Sequence, residues 1–432
     1  MRLEFEYKEF RYITDNSTKI DNSTLFLKTF QNSKYYDELH PQPPSITPSE
    51  LISLWGIDTL KVVGVTGTNG KTTVTAAIYS FLLDLDERPA LQGTRGLFAE
   101  DNRIEEKSMT TPSILETLHN MKQTKDMGCN YFIMEVSSHA IDQRRIEGIE
   151  FALKVHTNVT SDHLDYHGTV EEYRRVKSLF FADDTPKLLN KDDIKNITYN
   201  PIGAQSYGVD EPATFKVQAF SLHHGITAGI KHLREEATFH SPMVGVFNLF
   251  NLIAAIGSVV ILTGKKIDEV CEVVENFAGV SGRMEVISRD PLVIVDFAHT
   301  ADGMFQVLNS IKDRDISVVF GAGGNRDRSK RPKMGAVAGR FAKKIYVTSD
   351  NPRDEVPEMI LEDILVGLRG KDGVVATPDR RLAIKMAIDG LEGDEVLLIL
   401  GKGDEDYQEV RGVKHHFDDR EVARELLDLQ LS

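Results

Sequence analysis

Seven short apolar runs constrain the fold of this chain more than anything else in it, and each ends in glycine or polar residues. They are KVVGVTG (61–67), YFIMEVS (131–137), KVHTNVT (154–160), LVIVDFA (292–298), ISVVFGAG (316–323), KIYVTSD (344–350) and EVLLILGKG (395–403). Runs that are apolar without alternation read as strands buried on both faces, and such strands belong to parallel sheets covered by helices. The stretches between them predict helices over 72–85, 170–181, 247–263, 301–312 and 379–389. The expected fold class is α/β with mostly parallel sheets. Sheets of this kind bind ligands beyond the C-terminal ends of their strands, where the polar motifs of this chain stand.

The chain has 432 residues, enough for about three domains. HPQPPSITPSE (40–50) carries four prolines that stop a helix or a central strand, and VSGRMEVISRDP (280–291), directly after Gly279, combines Gly282 with Pro291 between helical and strand signals. The expected division is a short N-terminal unit over 1–45, a central unit over 46–284 and a C-terminal unit over 285–432. The apolar stretches are short and broken by charge, so no segment is expected to span a bilayer. Residues 1–30 lack the continuous apolar core of a secretory signal, which points to the cytoplasm. Cys129 and Cys271 are far apart in apolar contexts and read as buried thiols.

A net charge of −15 opposes binding to nucleic acid or an anionic membrane, both of which demand a positive footprint. The exception is GGNRDRSKRPK (323–333), where Arg326, Arg328, Lys330, Arg331 and Lys333 suggest a focused site for a small anion.

Val65-Thr66-Gly67-Thr68-Asn69-Gly70-Lys71-Thr72-Thr73 lies directly between a predicted strand and a predicted helix. A glycine-rich loop there turns backbone N–H groups toward a polyphosphate, the helix N-terminus adds positive charge, Lys71 reaches the terminal phosphates and Thr72 can ligate magnesium. The strict pattern has glycine where Val65 stands, so Gly67 supplies the flexibility instead. Glu135, ending the next strand, is placed to hold magnesium, which prefers oxygen ligands. In NVTSDHLDYHG (158–168), His163 and His167 are four apart, but Leu164 stands where a zinc protease would have glutamate, so this reads as a loop supporting the nucleotide site.

Lys177, on the helix containing YRRVKSLFF, reads from local pattern alone as a surface lysine. Asn248 and Asn251 share one face at the start of the next apolar helix and suit either capping or adenine recognition. The third unit puts Asp296 and His299, the basic segment, Asp350-Asn351-Pro352-Arg353, and Gly401-Lys402-Gly403-Asp404-Glu405 after four of its strands. Cations and carboxylates on one sheet edge suit a zwitterionic ligand, and Arg353 can grip a carboxylate bidentately.

The order of these motifs over residues 64–408 resembles the Mur ligase family: TGTNGKTT, EVSSHA, NVTSDHLDYH, YRRVK, NLFNLIAA, SGRME, VDFAHTADG, FGAGGNRDRSKRP, SDNPR and GKGDEDYQ. The resemblance implies three domains: a small one for the UDP end of the substrate, a central phosphate-loop ATPase domain, and a Rossmann-like C-terminal domain for the incoming amino acid. It implies an enzyme, an ATP-dependent ligase that adds meso-2,6-diaminopimelate to UDP-N-acetylmuramoyl-L-alanyl-D-glutamate through an acyl phosphate, in cytoplasmic peptidoglycan synthesis. Its cofactors would be ATP and Mg2+, and it would act as a monomer without nucleic acid or membrane. The alternatives left open are the same fold taking L-lysine, or a non-catalytic nucleotide-binding switch.

By that resemblance Lys71, Lys177 and His299 are the catalytic residues. Gly67, Thr68, Asn69, Gly70, Lys71, Thr72, Thr73, Asn248, Asn251, Arg283 and Asp296 match ATP contacts, while Thr72, Glu135, His163 and Lys177 as a carbamate match the metal site. The resemblance thus reverses the surface reading of Lys177. Ser17, Thr110, Thr111, Ser137, Gln143 and Arg145 match contacts to the UDP-muramoyl-peptide, and Arg326, Asp350, Asn351, Arg353, Gly401 and Glu405 match the diaminopimelate pocket. Two positions depart from the family: Asp404 replaces the histidine of Gly-Lys-Gly-His-Glu, and Asn16-Ser17-Thr18 replaces Asp-Ser-Arg in a shortened first unit.

Overall fold

A computed structural model describes residues 1–431 apart from Asp101, Lys107, Ser108, Ser161 and His224; Ser161, within the NVTSDHLDYHG motif, therefore lies outside the described residues. The chain forms two compact units. The first comprises Met1–Phe220, Thr227–His240 and Phe250–Phe277, and the second Ser221–Ile226, Ser241–Leu249 and Ala278–Ser432.

The first unit is built on an eleven-stranded sheet. Seven of its strands are parallel, in the spatial order Phe215–Ser221, Ala204–Gly208, Lys187–Asn190, Phe151–His156, Lys61–Thr66, Tyr131–Glu135 and Pro89–Gly93. The strand Lys61–Thr66 sits between Phe151–His156 and Tyr131–Glu135, so three of the motifs leave neighbouring strand ends. A separate four-stranded sheet uses Arg2–Tyr7, Phe10–Thr14, Thr24–Leu27 and Ser45–Ile46. Its Phe5, Phe10, Ile13, Leu25 and Leu27 join Leu51, Ile52, Ile57, Leu60 and Val62 in one buried cluster. The helix Pro48–Trp55 that follows the proline-rich segment starts on a reciprocal cap: Thr47 Oγ1 accepts from Glu50 N, while Glu50 accepts from Thr47 N.

The second unit holds a six-stranded sheet in the order Glu285–Arg289, Leu292–Asp296, Val396–Leu400, Ile316–Phe320, Lys344–Val347 and Val374–Ala376. All but the first of these are parallel. Successive side chains feed opposite faces, and both faces are apolar. Ile294, Val318, Phe320, Ile345 and Leu398 pack with Met304, Met334 and Ile360, whereas Val293, Val295, Val319, Leu397 and Ile399 pack with Ala383, Ile384, Val422 and Leu426. That two-sided burial is why these strands read as continuous apolar runs.

All seven predicted strands and all five predicted helices are present, with ends shifted by a few residues. The premise that every apolar stretch is short and broken by charge needs correction. The helix Val246–Thr263 is long and apolar enough to span a bilayer by length and composition, and 72% of its apolar window is buried inside the protein. Its uniform hydrophobicity is that of a helix packed on several sides.

Candidate active site

The phosphate-loop motif leaves the strand Lys61–Thr66 and enters the helix Lys71–Asp84 through Gly70, at a φ of 86°. Gly70 at the N-cap has no side chain to bond the first-turn N–H groups, which lie at the positive end of the helix dipole. Two glycines are required here by space as well as by backbone. A Cβ on Gly67 would lie 1.8 Å from Thr157 Oγ1, and one on Gly70 would lie 2.4 Å from Asn251 Oδ1. Asn158 fixes the loop crest: its carbonyl accepts from Thr68 N at 2.7 Å, and its side chain exchanges two hydrogen bonds with the Asn69 backbone. The N–H groups of Thr68 and Asn69 are thereby engaged by the protein, which leaves the cradle to the helix start. Lys71 Nζ donates to the carbonyls of Gly67 and Thr68.

Glu135 is buried at the end of the adjacent strand, paired in register with Val65. Thr72 Oγ1 donates to its Oε2 at 3.1 Å, and Thr94 N donates to its Oε1 at 2.9 Å. The pattern-based reading of Lys177 as a surface residue is overturned. Lys177 is fully buried, with Nζ donating to Gly67 O at 2.9 Å and to Thr66 Oγ1 at 3.3 Å. Burial, with the charge of Lys71 as a second cause, holds its amine well below the ordinary lysine range. The His163 ring lies against His139 at 4.9 Å and beside Asp162. Among the described residues no cluster of three or more His, Cys, Asp or Glu side chains could hold a metal ion. Thr72 and Glu135 nevertheless supply the hard oxygen ligands that suit magnesium.

Five of the six residues matched to the muramoyl-peptide contacts, all but Ser17, form one connected group. Thr111 Oγ1 donates to Glu135 O and accepts from Ser137 N, Arg145 Nη1 donates to Thr111 O at 2.9 Å, and Arg145 also donates to Gln143 Oε1. Thr110 joins through Thr94 at 3.0 Å. Ser17 sits half-buried in the short 3-10 turn Ser17–Lys19, whose start Asn16 caps through Thr18 N.

In the second unit, Asp296 ends its strand buried, accepting from Met284 N and Ala298 N, and burial pushes its carboxyl up against the opposing pull of Arg283. Arg283 lies over the Phe297 ring, and His299, exposed, faces Phe297 O through Nδ1. Asn248 belongs to this unit and donates to Val244 O, whereas Asn251 belongs to the first. Asn351 bridges two further segments, donating to Glu405 Oε2 at 2.8 Å and accepting from Glu409 N. Arg353 is held at a left-handed φ of 52° by backbone bonds to Glu409 and Arg411, while its Nη1 donates to Gly324 O. Gly401 passes Asp350 so closely that a Cβ would lie 2.7 Å from Asp350 Oδ2.

The basic segment is not the uniform anion patch its composition suggests. Arg331 is buried between Glu355 and Asp363, and Arg328 also pairs with Glu355, while Arg326 stays exposed. Sequence reading missed Thr94, Lys402, Gln408 and Glu409. Lys402 is buried on Glu405 and Tyr407 O, and Gln408 donates to Asp350 O. Lys402 and Gln408 stand inside GKGDEDYQ, where the resemblance gives a pocket role to Gly401 and Glu405, and Glu409 directly follows it.

A phosphate-loop unit and a doubly wound unit, each with its polar residues beyond the strand ends, define a nucleotide-dependent ligase architecture. The Mur ligase middle domain matches residues 65–259, and the Mur ligase glutamate ligase domain matches 282–403. The chain is 50% identical over 426 residues to UDP-N-acetylmuramoyl-L-alanyl-D-glutamate–2,6-diaminopimelate ligase of Wolinella succinogenes, covering 98% of both chains. It is similar to a solved structure of a ligase of that name, with 30% identity, a TM-score of 0.70, and coverage of 97% of this chain and 95% of the other. A bifunctional folylpolyglutamate synthase/dihydrofolate synthase solved with Mn, AMPPNP and L-glutamate shares the fold, at 19% identity and a TM-score of 0.63 over 85% of this chain and 94% of that one. The chain belongs to the Mur ligase family.

Proposed function

We propose that the chain is an ATP-dependent ligase that joins meso-2,6-diaminopimelate to UDP-N-acetylmuramoyl-L-alanyl-D-glutamate in cytoplasmic peptidoglycan precursor synthesis. The observation that carries the reaction class is the Thr72–Glu135 contact beside a helix N-terminus that begins at a glycine, with Lys71 at its first position and the buried Lys177 amine behind the loop. The choice of amino acid rests on the Asp350-Asn351-Pro352-Arg353 tetrad and on the relative that is half identical over nearly the whole chain.

In the first step a D-glutamyl side-chain oxygen attacks the γ-phosphorus of ATP; the new O–P bond forms as the bridging P–O bond breaks, and ADP leaves. Lys71 and the N–H groups of the helix start balance the charge of the transferred phosphoryl group. In the second step the amine nitrogen of diaminopimelate attacks the acyl carbon, loses a proton, and phosphate departs. Nδ1 of His299 faces the Phe297 carbonyl, so Nε2 is the nitrogen available to accept that proton. Thr72 and Glu135 would hold magnesium, with Lys177 added as a ligand once carbamylated; the ion, when bound, neutralises phosphate charge. Arg353 takes the second carboxylate of diaminopimelate, a group that lysine lacks.

ADP formation by the purified protein tests this with the UDP-muramoyl-dipeptide and meso-diaminopimelate, L-lysine or no amino acid. Turnover is expected with diaminopimelate alone. Arg353→Ala is expected to raise KM for diaminopimelate by about 10- to 100-fold, the cost of losing a charge-assisted hydrogen bond. Equal turnover with lysine would refute the choice of amino acid and leave the ligase, and nucleotide binding without turnover would refute the ligase.

A further inference from the structure

Arg380 and Asp419 form an ion pair whose two side chains are both fully buried in the second unit. Neither belongs to any of the motifs above. Arg380 opens the helix Arg380–Asp389 and Asp419 opens the helix Asp419–Leu431. The guanidinium makes four hydrogen bonds: Nε to Asp419 Oδ1 at 2.7 Å, Nη2 to Asp419 Oδ2 at 2.6 Å, Nη1 to Ser349 O at 3.1 Å and Nη2 to Leu400 O at 3.0 Å.

The two carbonyls identify what the pair does. Ser349 directly precedes Asp350-Asn351-Pro352-Arg353, and Leu400 directly precedes Gly401-Lys402-Gly403-Asp404-Glu405. The strands that deliver these loops are not neighbours, because Ile316–Phe320 lies between Lys344–Val347 and Val396–Leu400. No ladder therefore joins the two strands directly, and each reaches the other through the strand between them. Further ties, Asn351 to Glu405 and Glu409, Gln408 to Asp350 O, and the backbone bonds of Arg353 to Glu409 and Arg411, are made within the loop segments themselves, whereas Arg380 grips both backbones from the buried side. A buried ion pair adds little net stability over apolar residues of similar volume, but an apolar pair cannot hold two carbonyls across an intervening strand.

We propose that Arg380, oriented by Asp419, is a positioning residue that sets the spacing of the two loops of the amino-acid pocket. The inference rests on the pocket reading of the preceding section. Asp419 fixes the guanidinium plane, and the plane fixes where Asp350 and Gly401 begin. Lysine keeps the charge but offers a single nitrogen, which cannot serve Asp419 bidentately and both carbonyls in the same geometry.

The test compares wild type, Arg380→Lys and the apolar double variant Arg380→Met/Asp419→Leu. Thermal unfolding, kcat, and KM for diaminopimelate, ATP and the UDP-muramoyl-dipeptide are measured for each. The double variant is expected to fold, with KM for diaminopimelate raised about tenfold or more and KM for ATP and the UDP substrate within about twofold of wild type; Arg380→Lys should fall between. A folded double variant with wild-type KM for diaminopimelate would overturn the inference, as would a fall in kcat with every KM unchanged. Failure of the double variant to fold would also overturn it, since the pair would then be a requirement of the core. Wild-type protein without diaminopimelate-dependent turnover would instead remove the pocket reading itself.

Discussion

Thr72 Oγ1 lies 3.1 Å from Glu135 Oε2, and the other oxygen of the same carboxylate is held from behind by Thr94 N at 2.9 Å. The bed is built by backbone. Gly93 has no side chain, and a Cβ there would come within 2.2 Å of Glu135 Oε1. Thr94 then adds its hydroxyl, 3.3 Å from Oε2 and 3.0 Å from Thr110 Oγ1. A carboxylate buried at a strand end is thus anchored on one oxygen while the other is directed at the first turn of the phosphate-loop helix.

The anchoring separates two effects. Glu135→Gln keeps the shape and removes the charge, and it is expected to abolish the stimulation of ADP formation by magnesium. Thr94→Val keeps the backbone N–H and loses the hydroxyl, so it should raise the half-saturating magnesium concentration by a smaller factor, about tenfold for one hydrogen bond, and Thr94→Ser should restore it. A magnesium titration of initial rates reads all three. Wild-type magnesium dependence in Glu135→Gln would refute the assignment.

Lys177 carries the second prediction. Burial favours its neutral amine, the form that attacks carbon dioxide: the N–C bond forms, a proton leaves and a carbamate carboxylate results. The sign follows directly. A lysine whose pKa is depressed loses its proton at lower pH than an exposed one, so Lys177 should form carbamate at pH values where surface lysines remain protonated. Protein equilibrated with isotopically labelled bicarbonate should show one protected carbamate carbon by NMR, absent in Lys177→Arg. The same signal in Lys177→Arg would place the carbamate elsewhere.

The strands and helices that were legible in sequence are those buried on both sides, because a two-sided apolar environment leaves a continuous run. The strands Arg2–Tyr7 and Phe10–Thr14 interleave charge with apolar residues, and the hairpin strands Ile226–His232 and Glu235–Ser241 alternate, so none stood out. The phosphate loop was legible because its chemistry is local. Lys177 was not, since local periodicity cannot see that its helix lies against Thr66 and Gly67, residues more than a hundred positions earlier. The same blindness made Arg331 part of a small-anion site. Its partners Glu355 and Asp363 follow 24 and 32 residues later, and nothing in the basic run announces them.

Glu355 supplies the third prediction. It accepts from Arg331 and Arg328 and from Asn325 N, and these bonds, Arg331 first, pull its carboxyl from an ordinary 4.5 down to about 2. A carboxyl depressed in the folded state contributes stability that is complete above its unfolded pKa and disappears as pH falls through the folded one. The window is therefore between 4.5 and about 2. Glu355→Gln leaves the buried Arg331 with less charge compensation and is expected to cost about 1–3 kcal/mol near neutral pH. Because protonating Glu355 in the wild type mimics the substitution, the gap between the two proteins should narrow as pH drops through that window. Denaturant unfolding of both at about pH 7 and about pH 3 measures it, and a gap of constant size would mean that shape, not charge, holds the Arg326 loop in place.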